Sequence, residues 1–173
     1  MKRVLSSSAF IVVLILAVPL SGLSEYGVDV FEKVRLMEQD IPEGYIFGKI
    51  PPFARKVLKG NPWMMDSQAI QRLTKMIYPD GNYAMIKSIH VTILADKKTP
   101  FGDDIVCYII LYHNSHTAKD EIKKIAQYVD FNSDRAVLIM KMNLVVFFHV
   151  DAVKDFHHIK GYAQKIESVL KNL

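Results

Sequence analysis

A single cysteine, Cys107, stands in the 173 residues of the chain. An internal disulfide and any cysteine-rich zinc site are therefore excluded. Excess charge is scarce too. Removing Lys2 and Arg3, which belong to a leader described below, from 22 basic residues leaves 20 against 18 acidic ones, a net of +2. That is too near neutral to argue for nucleic acid. The eight glycines are scattered, and neither a G-x-x-x-x-G-K-[ST] loop nor a G-x-G-x-x-G turn occurs, so a nucleotide enzyme is not indicated. No G-x-S-x-G elbow is present, and no Glu sits between histidines at zinc-protease spacing. From Glu25 onward there is no charge block, linker or low-complexity tract. What remains is a chain that is 50% hydrophobic and 23% charged, long enough to bury a core without staples.

The clearest signal lies at the start. Lys2 and Arg3 are followed by an uncharged run, Ala9–Leu20, and then by Ser21-Gly22-Leu23-Ser24. Small residues at Gly22 and Ser24 stand third and first before a cut. This is the layout of a secretory signal peptide over residues 1–24, with a mature domain over 25–173. The apolar run is shorter than the roughly 20 residues that span a bilayer stably. The alternative is an uncut leader that tethers an accessory subunit to the membrane. One cysteine without a disulfide in an exported chain fits a bacterial envelope, either periplasmic or extracellular. Cys107, between Val106 and Tyr108, reads as a buried small hydrophobe.

The pattern from Glu25 predicts an α+β fold. Val28–Met37 fits either a short helix or an extended arm. Ile41-Pro42-Glu43-Gly44 is a turn, and Tyr45–Ile50 is a short extended piece. Pro51-Pro52 opens a short helix through Lys59, stopped by Gly60. Asp66 caps a second helix with Ile70, Leu73 and Ile77 on one face, ended by Pro79-Asp80-Gly81. Met85–Leu94 alternates, with Ile89, Val91 and Ile93 on a buried face and Ser88, His90 and Thr92 on a wetter one. Asp104–His113 is apolar on both faces, which predicts a central strand covered on both sides. Thr117, with Asp120 three residues later, resembles the cap of a helix start, and that helix directs Ile122, Ile125, Ala126 and Val129 inward. Ala136–Met140 and Leu144–Val150 are two further strands joined by Lys141-Met142-Asn143, and a last helix from Asp155 buries Ile159, Ala163, Ile166, Leu170 and Leu173. The expected architecture is an antiparallel sheet of about four strands in β-β-α-β-β-α order, preceded by two short helices that cover part of it. Tyr112-His113 and Phe148-His149 give a faint internal echo.

Three groups of residues could carry function. Tyr45, Phe47, Trp63, Met64 and Met65, with Phe53, form a loop-rich apolar segment; such surfaces take up ligands or partners, and equally such a segment can be a lid on the sheet. His113, His116 and His149 lie at strand ends and a helix start. If the second and fourth strands are neighbours, they could converge on a metal, which needs three or four ligands at about 2.0–2.2 Å. Asp103-Asp104 pairs two carboxylates, but adjacent residues in a turn diverge more often than they face a cleft. Arg55, Lys56 and Lys59, like the pairs Lys97-Lys98 and Lys123-Lys124, read as solvated faces. The leading expectation is an exported, non-catalytic module that binds a protein partner or a small apolar ligand through Tyr45–Met65. It needs no cofactor and touches a membrane only through an uncut leader. A histidine-based metal protein is the alternative.

Overall fold

The computed structural model describes residues 25–77 and 83–173. The leader, the turn Pro79-Asp80-Gly81 and the side chain of Ile77 lie outside the described residues. The chain is α+β, built on a six-stranded antiparallel sheet. In chain order the elements are α1 (Val30–Val34), β1 (Tyr45–Phe47), β2 (Trp63–Met64), α2 (Ser67–Ile77), β3 (Ile86–Asp96), β4 (Ile105–Tyr112), α3 (Ser115–Phe131), β5 (Ala136–Lys141), β6 (Leu144–Val150) and α4 (Phe156–Lys171). The strands lie in the order β1-β3-β4-β6-β5, and β2 also pairs with β3. Among the described residues, no helix is long and apolar enough to cross a membrane.

The sheet has six strands rather than about four because the edge of β3 is covered twice. Tyr45–Phe47 pairs with Leu94–Asp96, and Trp63–Met64 pairs with His90–Val91. Between them the side chain of Asn61 stands in for a strand. Its Nδ2 donates to the carbonyls of Gly48 (2.8 Å) and Ile93 (2.6 Å), and its Oδ1 accepts from the Ile93 amide (2.8 Å). Residues Pro52–Lys56 form a 3-10 turn in place of a full helix.

β4 is central, and its side chains divide by parity. Ile105, Cys107, Ile109 and Leu111 join one core with α1 and α4. Tyr108, Ile110 and Tyr112 join a second core with Met65, Ile70, Leu73, Ala118 and Ile125, beneath α2 and α3. A strand apolar on both faces demands cover on both, and four helices supply it. The helices α3 and α4 thus lie on opposite faces. A twofold axis relating the neighbouring antiparallel strands β4 and β6 would run through the sheet and keep both helices on one face. The echo between His113 and His149 is therefore not a structural repeat.

Three local expectations are corrected. Leu173 is exposed rather than buried, because it lies beyond the end of α4 at Lys171. Asn114, not Thr117, caps α3, because its Oδ1 accepts from the Thr117 amide at 2.8 Å. The face of β3 bearing Ser88, His90 and Thr92 is dry: all three are buried. Over His90 the cover is α1, whose Phe31 ring lies 6.2 Å from that of His90. Val30, Phe31 and Val34 are buried along it, and Leu36 just after it. Each such side chain contributes roughly 1.5–3 kcal/mol when removed from water. That outweighs about 1–3 kcal/mol for each unpartnered polar group on this face of β3, namely His90 Nδ1 and Thr92 Oγ1.

The arm before α1 is fixed by Asn143 in the β5–β6 turn. Its Oδ1 accepts from the Tyr26 amide (2.8 Å), and its Nδ2 donates to the Tyr26 and Tyr112 carbonyls (3.1 and 3.0 Å). Beyond α1, the Tyr162 hydroxyl donates to the Asp40 carbonyl at 2.7 Å, tying that segment to α4.

Candidate functional site

The sheet face beneath α2 and α3 is not fully covered. Between the two helices runs a groove of about 360 Å³. Its floor is made of alternate residues of β3, β4 and β6, among them Ile89, Val106, Tyr108, Ile110 and Phe147. The period of two along each strand puts these side chains on one face. Leu73 and Thr74 of α2 form one wall. Glu121, Ile125 and Tyr128 form the other, and their i, i+4, i+7 spacing aligns them along α3. The size and the largely apolar lining are those of a small-molecule site.

One end of the groove is aromatic and polar. Tyr108 and Phe147 stack with centroids 6.3 Å apart and planes inclined by 13°. Tyr128 stands edge-on to Phe147 at 5.9 Å and lies 5.8 Å from the ring of His149. Burial pushes the Tyr108 phenol up to about 12, with the charge of Asp103 adding to the shift. Burial also lowers His149 below the ordinary imidazole range, so the ring is neutral at pH 7; Asp151 and Asp103 oppose this and Arg135 adds to it. Asp103 itself lines the groove, whereas Asp104 turns back and accepts from the Asp96 amide at 2.9 Å. The two carboxylates are thus divided between a groove and a hairpin.

The residues proposed from sequence fall elsewhere. Tyr45 and Phe47 pack against the core under α4, while Trp63 and Met65 join the core under α2 and α3. The sheet therefore separates them. Met64 stays exposed, and its Sδ accepts from the Ser88 hydroxyl at 2.9 Å. None of the five lines the groove. Phe53 is 84% exposed on its turn. Arg55 and Lys56 are exposed, and Lys59 is paired with Asp66.

The three histidines are not brought together. β4 and β6 are neighbours, as convergence requires, but they run antiparallel. His149 lies opposite Val106, while Leu111 lies opposite Leu144. His113 follows the far end of β4, seven residues from Val106, or roughly 20 Å along the strand. His113 and His116 are exposed there, and His116 Nε2 lies 3.4 Å from Asp120. Among the described residues no three His, Cys, Asp or Glu side chains are grouped to hold a metal ion.

Sequence reasoning missed the groove because its lining comes from five separate elements. The available signal was parity, since Tyr108 and Phe147 lie on one face of two strands that the register makes neighbours. No family model, curated protein or solved structure matches the chain.

Proposed function

We propose that residues 25–173 form one α+β domain, exported through the leader Met1–Ser24 to the periplasm or beyond. We read it as a non-catalytic module that holds a small apolar ligand in the groove between α2 and α3. Its framework is the β-β-α-β-β-α run from β3 to α4, with β1 and β2 as additions to the edge of β3. The observation that carries this reading is the concave, largely apolar lining between two helices, where Ile86, Tyr108, Phe147 and Tyr128 keep surface accessible beside the buried Ile89, Val106 and Ile110. Apolar surface left open in a concave site gains free energy when a ligand covers it.

The test is titration with the neutral fluorophore N-phenyl-1-naphthylamine. Its emission should rise on binding at a single site. Val106→Trp, which fills the floor, should abolish the rise while the circular dichroism spectrum is unchanged. Equal fluorescence from the variant would overturn the assignment to this groove.

A second reading, a protein partner held by the Tyr45–Met65 segment, is favoured by the exposure of Phe53 and Met64. It predicts that Phe53→Ser loses the partner and keeps its stability.

A further inference from the structure

We propose that the groove selects its ligand by charge, taking an apolar body with a cationic amine head and rejecting the same body with an anionic head. The inference rests on the groove reading above and adds the ligand's chemical class.

Among the described residues lining the groove, the charged side chains are Asp103 and Glu121, and no Lys or Arg lines it. The aromatic groups gather at the Asp103 end. Phe147 contacts both Tyr108 and Tyr128 there, and Tyr128 continues to His149. Asp103 lines the groove together with these rings, and its charge acts on both Tyr108 and His149. Other charges near that end are Asp151 and Arg135, and the Arg135 guanidinium is already paired with Asp134 at 3.2 Å. The balance is negative.

Aromatic faces beside a carboxylate are the arrangement that attracts an ammonium group, through the ring quadrupole and through Coulomb attraction. A carboxylate or sulfate head in the same place would meet Asp103 with no described cation lining the groove to offset it. Such unpaired like charge works against the wrong ligand. Along β4 the floor extends from Tyr112 to Val106, about 20 Å at the rise of a strand, which leaves length for an extended chain.

The experiment compares three probes with one chain length, decyltrimethylammonium, decanol and decanoate, each below its aggregation threshold. Binding to the purified full chain is read from amide chemical shifts. We expect shifts at Val106, Tyr108 and Phe147, and the ammonium probe should bind at least tenfold more tightly than decanoate, with decanol between. In Asp103→Asn the advantage of the ammonium probe over decanol should fall to less than threefold. If decanol binds at these residues but the three affinities agree within threefold, or decanoate binds most tightly, the charge inference is overturned and the groove reading stands. If no probe moves these amides, the groove reading fails and the charge inference falls with it.

Discussion

The Tyr45 hydroxyl donates a 2.7 Å hydrogen bond to Oδ1 of Asp155, joining the first strand of the sheet to the start of the last helix. Asp155 is buried, at 5% exposure. Burial holds the Tyr45 phenol well above its ordinary range, and the bond to Asp155 adds to the shift. The tyrosine is therefore a neutral donor to a carboxylate that has little access to water. Tyr45→Phe keeps the ring but removes the donor. It should cost about 1–3 kcal/mol in denaturant unfolding, the penalty for leaving a buried acceptor without its partner. Ligand binding in the groove should be unchanged. A loss of binding without a loss of stability would return Tyr45 to a binding role.

His90 should make the fold sensitive to acid. Burial, with Arg35 adding and Glu32 opposing, lowers it from 6.5 to about 4. In the unfolded chain the ring takes up a proton near pH 6.5. The unfolded state thus binds more protons throughout the window between pH 6.5 and 4. Stability attributable to His90 is complete above that window and is lost as pH falls through it. The full shift corresponds to roughly 3 kcal/mol. Urea unfolding at pH 7 and pH 4 should show a drop of that order, and His90→Asn should flatten it. Parallel pH profiles for the two proteins would sink the idea.

How much of this was legible in the sequence depends on the range over which each signal acts. Period-two alternation and apolar runs gave β3 to β6 to within about two residues, because they depend on neighbours along the chain. The double apolarity of Asp104–His113 announced a central strand. The cap of α2 was legible too, since Asp66 accepts from the Ala69 amide at 2.8 Å within one turn. The short strand Trp63–Met64 was not, for it exists only where β3 offers an edge. The dryness of His90 was hidden because its cover comes from α1, far away in sequence. Convergence of the histidines required strand direction as well as adjacency, and antiparallel pairing sends His113 and His149 to opposite ends. The groove is a gap between two helices, and no local pattern encodes a gap.

Asn61 should be the most costly polar residue on the β3 edge. Its amide satisfies one donor and two acceptors between β1 and β2, where the strand ladder is interrupted. Asn61→Ala leaves these groups to solvent or to no partner. At about 1 kcal/mol net for each lost bond, the loss should reach about 2–3 kcal/mol. The Ile93 amide gives a local readout, since its hydrogen exchange should accelerate well beyond what global destabilisation accounts for. Exchange at Ile110, in the central strand, should change only with global stability. If both amides accelerate equally, Asn61 serves the whole fold and not the edge.

Cys107 offers a probe of global opening. The residue is fully buried in the central strand, between β3 and β6, opposite Thr92 and Phe148. Burial pushes its thiol above the ordinary range, so neither access nor thiolate is available for reaction in the folded state. Labelling with a thiol reagent at pH 7.5 should therefore be slow and should require unfolding of the sheet. Its rate should rise with urea in step with the equilibrium population of unfolded chains when reclosing is fast. Cys107→Ala should destabilise the protein by no more than a small core truncation does, about 1 kcal/mol. Rapid labelling without denaturant would mean that β4 separates from a neighbouring strand or a covering helix in local openings, and the two-faced core would then be less continuous than its packing implies.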